Sequence, residues 1–157
     1  MNNSNIEDGY SIDKSDLKAP KNIQSTMIIS FDCCFSTVDN AAPGRLGNHI
    51  YRLRAKLQNG AVKGSYEVRD TGERRLFAAS HVFMRELQVL VEQYDLAQYN
   101  GHSYEVKGLP NDYGANLAVE YASCEHIYAW DNQDNFLPWN AMDGLLTLFE
   151  RRTAHTP

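Results

Sequence analysis

The chain has 157 residues, 43% hydrophobic and 22% charged, with 15 Lys and Arg against 20 Asp and Glu for a net charge of -5. That size suits one domain around one core, and the composition excludes a fibrous repeat or a wholly disordered chain. No run approaches the roughly 18 apolar residues of a membrane helix, and residues 1–24 hold no apolar segment of the signal-peptide kind, so a cytoplasmic protein is expected.

Residues 1–24 are rich in Asn, Ser, Asp and Lys and lack apolar periodicity. We expect a flexible tail there, ahead of a single domain at 25–157. Met27 to Ser36 alternate as a strand, with Ile29, Phe31, Cys33 and Phe35 on one face and Ser30, Asp32 and Ser36 on the other. A linker with Pro43, Gly44 and Gly47 as breakers follows.

Two alternating runs, His49–Gln58 and Ala61–Arg69, flank Asn59-Gly60, the strongest short hairpin signal. A two-residue loop sets Leu57 opposite Val62, Leu53 opposite Tyr66 and Tyr51 opposite Val68. The other face then pairs Lys56 with Lys63, Arg54 with Ser65 and Arg52 with Glu67. A slip of one residue would mix the two faces. Asp70-Thr71-Gly72 reads as a three-residue loop with Gly72 left-handed, which would pair Arg69 with Glu73, Glu67 with Arg75 and Tyr66 with Leu76.

Ser80 can cap a helix reaching about Leu96, with Phe83, Leu87, Leu90, Val91 and Tyr94 inward. His102–Leu109 is a short strand. Asn111 or Asp112 opens a second helix marked by Ala115, Ala118 and Ala122, with Leu117 and Tyr121 a turn apart. His126–Trp130 is a strand, and a polar loop leads through Pro138 to a helix at about 140–151. There Asn140 caps, Asp143 lies in the first turn, and Leu145, Leu146 and Phe149 pack. The class expected is α+β: an antiparallel meander of about four to six strands with about three helices on one face.

Charge is segregated. Residues 1–44 carry -3, residues 45–75 carry +5 and residues 76–157 carry -7. The positive part gathers on one hairpin face as Arg52, Arg54, Lys56 and Lys63. Lys56 opposite Lys63 is a like-charge pair, unfavourable without an anion between them. Such a face is either solvated, set against an acidic protein or a second copy of this acidic chain, or used to hold phosphate, nucleotide or nucleic acid. The acidic chain weighs against nucleic acid, and so does the lack of an aromatic residue on the basic face apart from Phe77 near its end.

Tyr128, Trp130, Phe136 and Trp139 crowd the acidic C-terminal half. Amphipathic rings of this kind anchor protein contacts when exposed and close a core when not.

Catalytic and metal signals are thin. Cys124 and His126 lie two apart on an extended chain, about 6–7 Å between side chains and too far for a direct hydrogen bond. Cys33 and Cys34 are adjacent in a strand, so they point to opposite faces and share neither a metal nor a disulfide. The five histidines show no helical i, i+4 pair. Asp131, Gln133 and Asn135 echo a calcium loop without its glycine or closing glutamate, so they read as a turn. Gly44 and Gly47 around Arg45 form a weak anion-nest candidate.

The expectation is a small non-enzymatic binding protein of the inhibitor, adaptor or accessory-subunit type, with no cofactor and no metal. Its partner would be another protein or a second copy of itself. An anion, nucleotide or nucleic-acid binder, or an enzyme on a phosphorylated small molecule, is the alternative.

Overall fold

The computed structural model describes residues 10–37 and 48–154. Its strands are β1 (Ser11–Asp13), β2 (Ile28–Ser36), β3 (Ile50–Gln58), β4 (Ala61–Val68), β5 (Glu73–Ser80), β6 (Ser103–Val106), β7 (Ala115–Tyr121) and β8 (His126–Asp131). Its helices are α1 (Val82–Gln93) and α2 (Trp139–Ala154), with a 3-10 turn at Leu96–Tyr99.

All strands join one sheet in the order β1-β6-β8-β7-β2-β3-β4-β5. Every neighbouring pair is antiparallel except β6 and β8, which run parallel. The class is α+β, as expected. The sheet is wider than the four to six strands expected, it is mixed, and the described residues form two helices rather than three.

The missing helix is β7. Its alanines suggested helix, but Ala115, Leu117, Val119 and Tyr121 are buried while Asn116 and Glu120 are exposed, a period of two. Pairing on both sides, with β2 and β8, overrode the local preference. Of the segment expected to be a tail, residues 11–13 pair with β6. Farther along, the Asn100 amide donates to the Pro20 carbonyl at 2.9 Å, and Glu125 accepts from the Gln24 and Ser25 amides at 3.0 and 2.9 Å. The linker after Thr37, with the Gly44–Gly47 nest, lies outside the described residues.

The β3–β4 hairpin has the expected register at every position, turning on Asn59 and Gly60 at positive φ. The β4–β5 register is one residue off. Its loop has four residues, Arg69–Gly72, with Thr71 and Gly72 N–H groups donating to the Val68 carbonyl and Gly72 left-handed at φ 79°. Val68 therefore faces Glu73, Glu67 faces Arg74 and Tyr66 faces Arg75. This puts Phe77 in the core opposite Gly64, where a Cβ on residue 64 would fall 2.2 Å from the Phe77 ring. Burial of Phe77 decides the register, because the alternative would turn it to water. A register shift between Ile28 and Ser30 likewise seats Ile28, rather than Ile29, in the core.

Both helices pack on one face of the sheet. Phe31, Phe77, Phe83 and Phe149 form an aromatic centre, with Phe149 at 6.1, 5.7 and 5.2 Å from the other three rings. In α1 the buried residues are Phe83, Met84, Leu87, Gln88 and Val91, and the Tyr121 hydroxyl donates to Gln88 Oε1 at 2.7 Å. In α2 Leu145, Leu146 and Phe149 are buried as expected. The helix starts at Trp139, so Asp143 falls beyond its first turn.

At the narrow edge, a buried side chain extends the parallel β6–β8 contact. Asn132 accepts from the Val106 N–H at 2.7 Å and donates to its carbonyl at 2.9 Å, as a neighbouring strand would. No helix among the described residues is long and apolar enough to cross a membrane.

Candidate functional site

The face opposite the helices carries the sequence's functional candidates. Side chains alternate along each strand, so the registers arrange this open face in three cross-strand rows. The first is His126, Glu120, Ser30, Lys56, Lys63 and Ala78. The second is Tyr128, Ala118, Asp32, Arg54, Ser65 and Leu76. The third is Trp130, Asn116, Cys34, Arg52, Glu67 and Arg74.

Read down the columns, the face has a cationic side on β3–β5 and an aromatic side on β8. Small or polar residues of β7 and β2 lie between them. Arg52, Arg54, Lys56 and Lys63 thus come together as expected. Tyr128 and Trp130 join them on the same surface. The other two aromatic candidates do not: Phe136 packs against Tyr99 and His102, at 5.0 and 5.6 Å between rings, and Trp139 is exposed at the start of α2.

The arginines are largely committed within the chain. Arg52 makes a forked pair with Asp32, Nε to Oδ1 at 3.2 Å and Nη2 to Oδ2 at 2.9 Å. That bond holds the guanidinium charged, raising its pKa above the usual value. Glu67 is shared by Arg54 at 3.1 Å and Arg74 at 3.5 Å. The lysines differ. Lys56 and Lys63 face each other directly, and neither has an ion-pair partner among the described residues. One row away Leu76 stands 62% exposed beside Arg74.

Three shallow concavities cover this face. One of about 330 Å³ includes Arg54, Lys56, Lys63, Arg74 and Leu76. A central one of about 460 Å³ has Asp32, Cys34, Arg52 and Asn116 beneath Arg69, Asn111, Asp112 and Trp130. The loop between β6 and β7 forms its roof: the Trp130 indole donates to the Asn111 carbonyl at 3.2 Å, and Arg69 pairs with Asp112 at 3.8 Å. The third, about 360 Å³, lies along β8 and includes Asn100, His126, Tyr128 and Trp130. There the His126 and Tyr128 rings stack at 4.1 Å.

The cysteines and histidines are dispersed among the described residues. Cys34 on the floor of the central concavity is pushed up to about 11, first by burial and then by Asp112, against the opposing pull of Arg69 and Arg52. Its thiol is neutral near pH 7, and burial also raises Cys33, on the covered face, well above the usual thiol value. Cys124 sits exposed in the β7–β8 turn at φ 75°, while His126 is occupied by Tyr128. Two histidines have carboxylate partners, His49 with Asp70 at 2.9 Å and His102 with Asp131 at 2.8 Å. Asp131 also accepts from the Gln133 and Asp134 amides at 2.9 and 2.8 Å, as its turn role requires. Among the described residues no group of three His, Cys, Asp or Glu could hold a metal.

Arg74, Leu76, Asp32 and Glu120 belong to this surface and were not singled out from the sequence. The one-residue slip in the β4–β5 register hid the first two. Gly64 facing a buried aromatic was the signal that could have exposed it. Fold and surface together define a helix-backed sheet with one charged face on which no described helix packs. Comparison with protein-family models, curated proteins and solved structures gave no match.

Proposed function

We propose that the protein is a non-enzymatic binding module, of the inhibitor, adaptor or accessory-subunit kind, that seats an acidic segment of another protein on its open sheet face. One observation carries this reading: Lys56 and Lys63 directly opposed, without a counter-charge among the described residues, beside the exposed Leu76. Two ammonium groups held across a strand pair repel, and an incoming carboxylate relieves that repulsion. An exposed leucine among cations suits a partner that offers both acid and apolar side chains. Arg54, Arg74 and Tyr128 would frame the contact.

A second reading has its own support. His126, Tyr128 and Trp130 share the face with the cations, so a nucleotide or single-stranded nucleic acid has rings to stack upon. The protein reading is preferred because Asp32, Glu67 and Glu120 stand in the same rows and offset most of the positive charge a phosphate chain would need.

The test is affinity capture from the native host with wild type and the K56E/K63E variant, followed by titration of the purified partner. We expect at least a tenfold loss of affinity in the variant. Undiminished affinity would overturn the proposal, and micromolar binding of a single-stranded oligonucleotide with no protein partner would favour the second reading.

A further inference from the structure

The two edges of the sheet are unlike. β1 has three residues, whereas β5 has eight, and its pairing with β4 is continuous from Ala61–Ser80 to Val68–Glu73. No described strand pairs with the outer side of β5, and the strand contains neither a proline nor a bulge. A long, regular edge of this kind is a template for another strand.

We propose that the occupant is β5 of a second copy of this chain, added antiparallel so that one sheet runs through both copies. Only a two-fold axis normal to the sheet sets two identical edges antiparallel side by side. Such an axis keeps the open faces on one side, so opposed residues must have position numbers with an even sum. Centring on Arg74 or Arg75 would set arginine against arginine, which like-charge repulsion disfavours. Centring on Leu76 avoids this: Arg74 faces Ala78, Arg75 faces Phe77 and Glu73 faces Ala79. It also sets the two Leu76 side chains against each other, removing from water a leucine that is 62% exposed in the single chain. The charge pattern of the strand rules out the arginine centres, and the exposed leucine picks its own among those that remain. The two readings share Leu76, which pairing withdraws from the acidic partner; Lys56 and Lys63 lie inward of this edge and remain accessible, so a failure to dimerise leaves the acidic-partner reading standing.

The experiment is sedimentation velocity on the full chain, with light scattering, from 5 to about 200 µM. Wild type should give a species of twice the 17.8 kDa chain mass, and L76K should shift it to the monomer. In a C124S background, L76C should form an intermolecular disulfide with itself on oxidation, and A78C should form one only when mixed with R74C. A monomeric mass for wild type at every concentration would overturn the proposal. So would a dimer untouched by L76K, or an L76C variant that stays reduced while the dimer persists.

Discussion

On the covered face of the sheet, Phe31, Phe77, Phe83 and Phe149 interlock, and even Gly64 is shaped to admit a ring. On the other face, Lys56 stands over Lys63 and Leu76 points into water. The strands supplying both surfaces are the same, so the difference is not one of local propensity. Packing determines the first surface, leaving little freedom for anything but fit. The second is unconstrained by packing, and groups that cost stability persist there. That contrast is why function is sought on the open side.

Four changes probe it, from the largest effect on folding to the smallest. F149A removes a ring that touches three others and should cost about 3–5 kcal/mol in urea unfolding. G64A forces a methyl group against Phe77 and should cost about 1–3 kcal/mol, although it changes one small residue. D32A breaks the forked bond to the half-exposed Arg52 and should cost only about 1 kcal/mol. K56E should go the other way: set against Lys63, it makes an opposite-charge pair and should gain about 0.2–1 kcal/mol while weakening partner binding. A loss of stability in K56E would show that the open face is built for folding and blur the contrast.

Titration reports burial on either face. Burial holds Cys34 at about 11 against an ordinary 9.0, and Tyr66 and Tyr121 at about 12 against 10.0. In the unfolded chain these groups lose protons first, so their contribution is whole below about pH 9 and is lost as pH rises through 9 to 12. Thermal scans should therefore show the melting temperature falling above pH 9. Thiol titration with a bulky disulfide reagent at pH 8 should find Cys124 alone reactive in the folded protein, and all three cysteines in denaturant.

Much of this was legible in the chain. Asn59-Gly60 and the alternation around it gave the β3–β4 register residue by residue, and with it the row that holds Lys56 and Lys63. The β4–β5 register misled because Asp70-Thr71-Gly72 suits a three-residue loop, and only burial of Phe77 against Gly64 selects four residues. β7 was hidden because its alanines favour helix when no neighbouring strand is known. The meeting of Tyr128 and Trp130 with the basic strands depends on pairings of residues far apart in sequence, through β7 and β2, which no local pattern encodes. Asn132 standing in for a strand beside Val106 is equally invisible without the fold.

The central claim, that the open face is where the protein meets its partner, can be tested by photo-crosslinking in the native host. A photoreactive residue at position 30, between Glu120 and Lys56, is compared with one at Val89, exposed on the outer side of α1. The account predicts an adduct from position 30 to an acidic protein, lost when K56E/K63E is added, and none from position 89. Adducts from position 89 alone, or an adduct at position 30 indifferent to charge reversal, would contradict it.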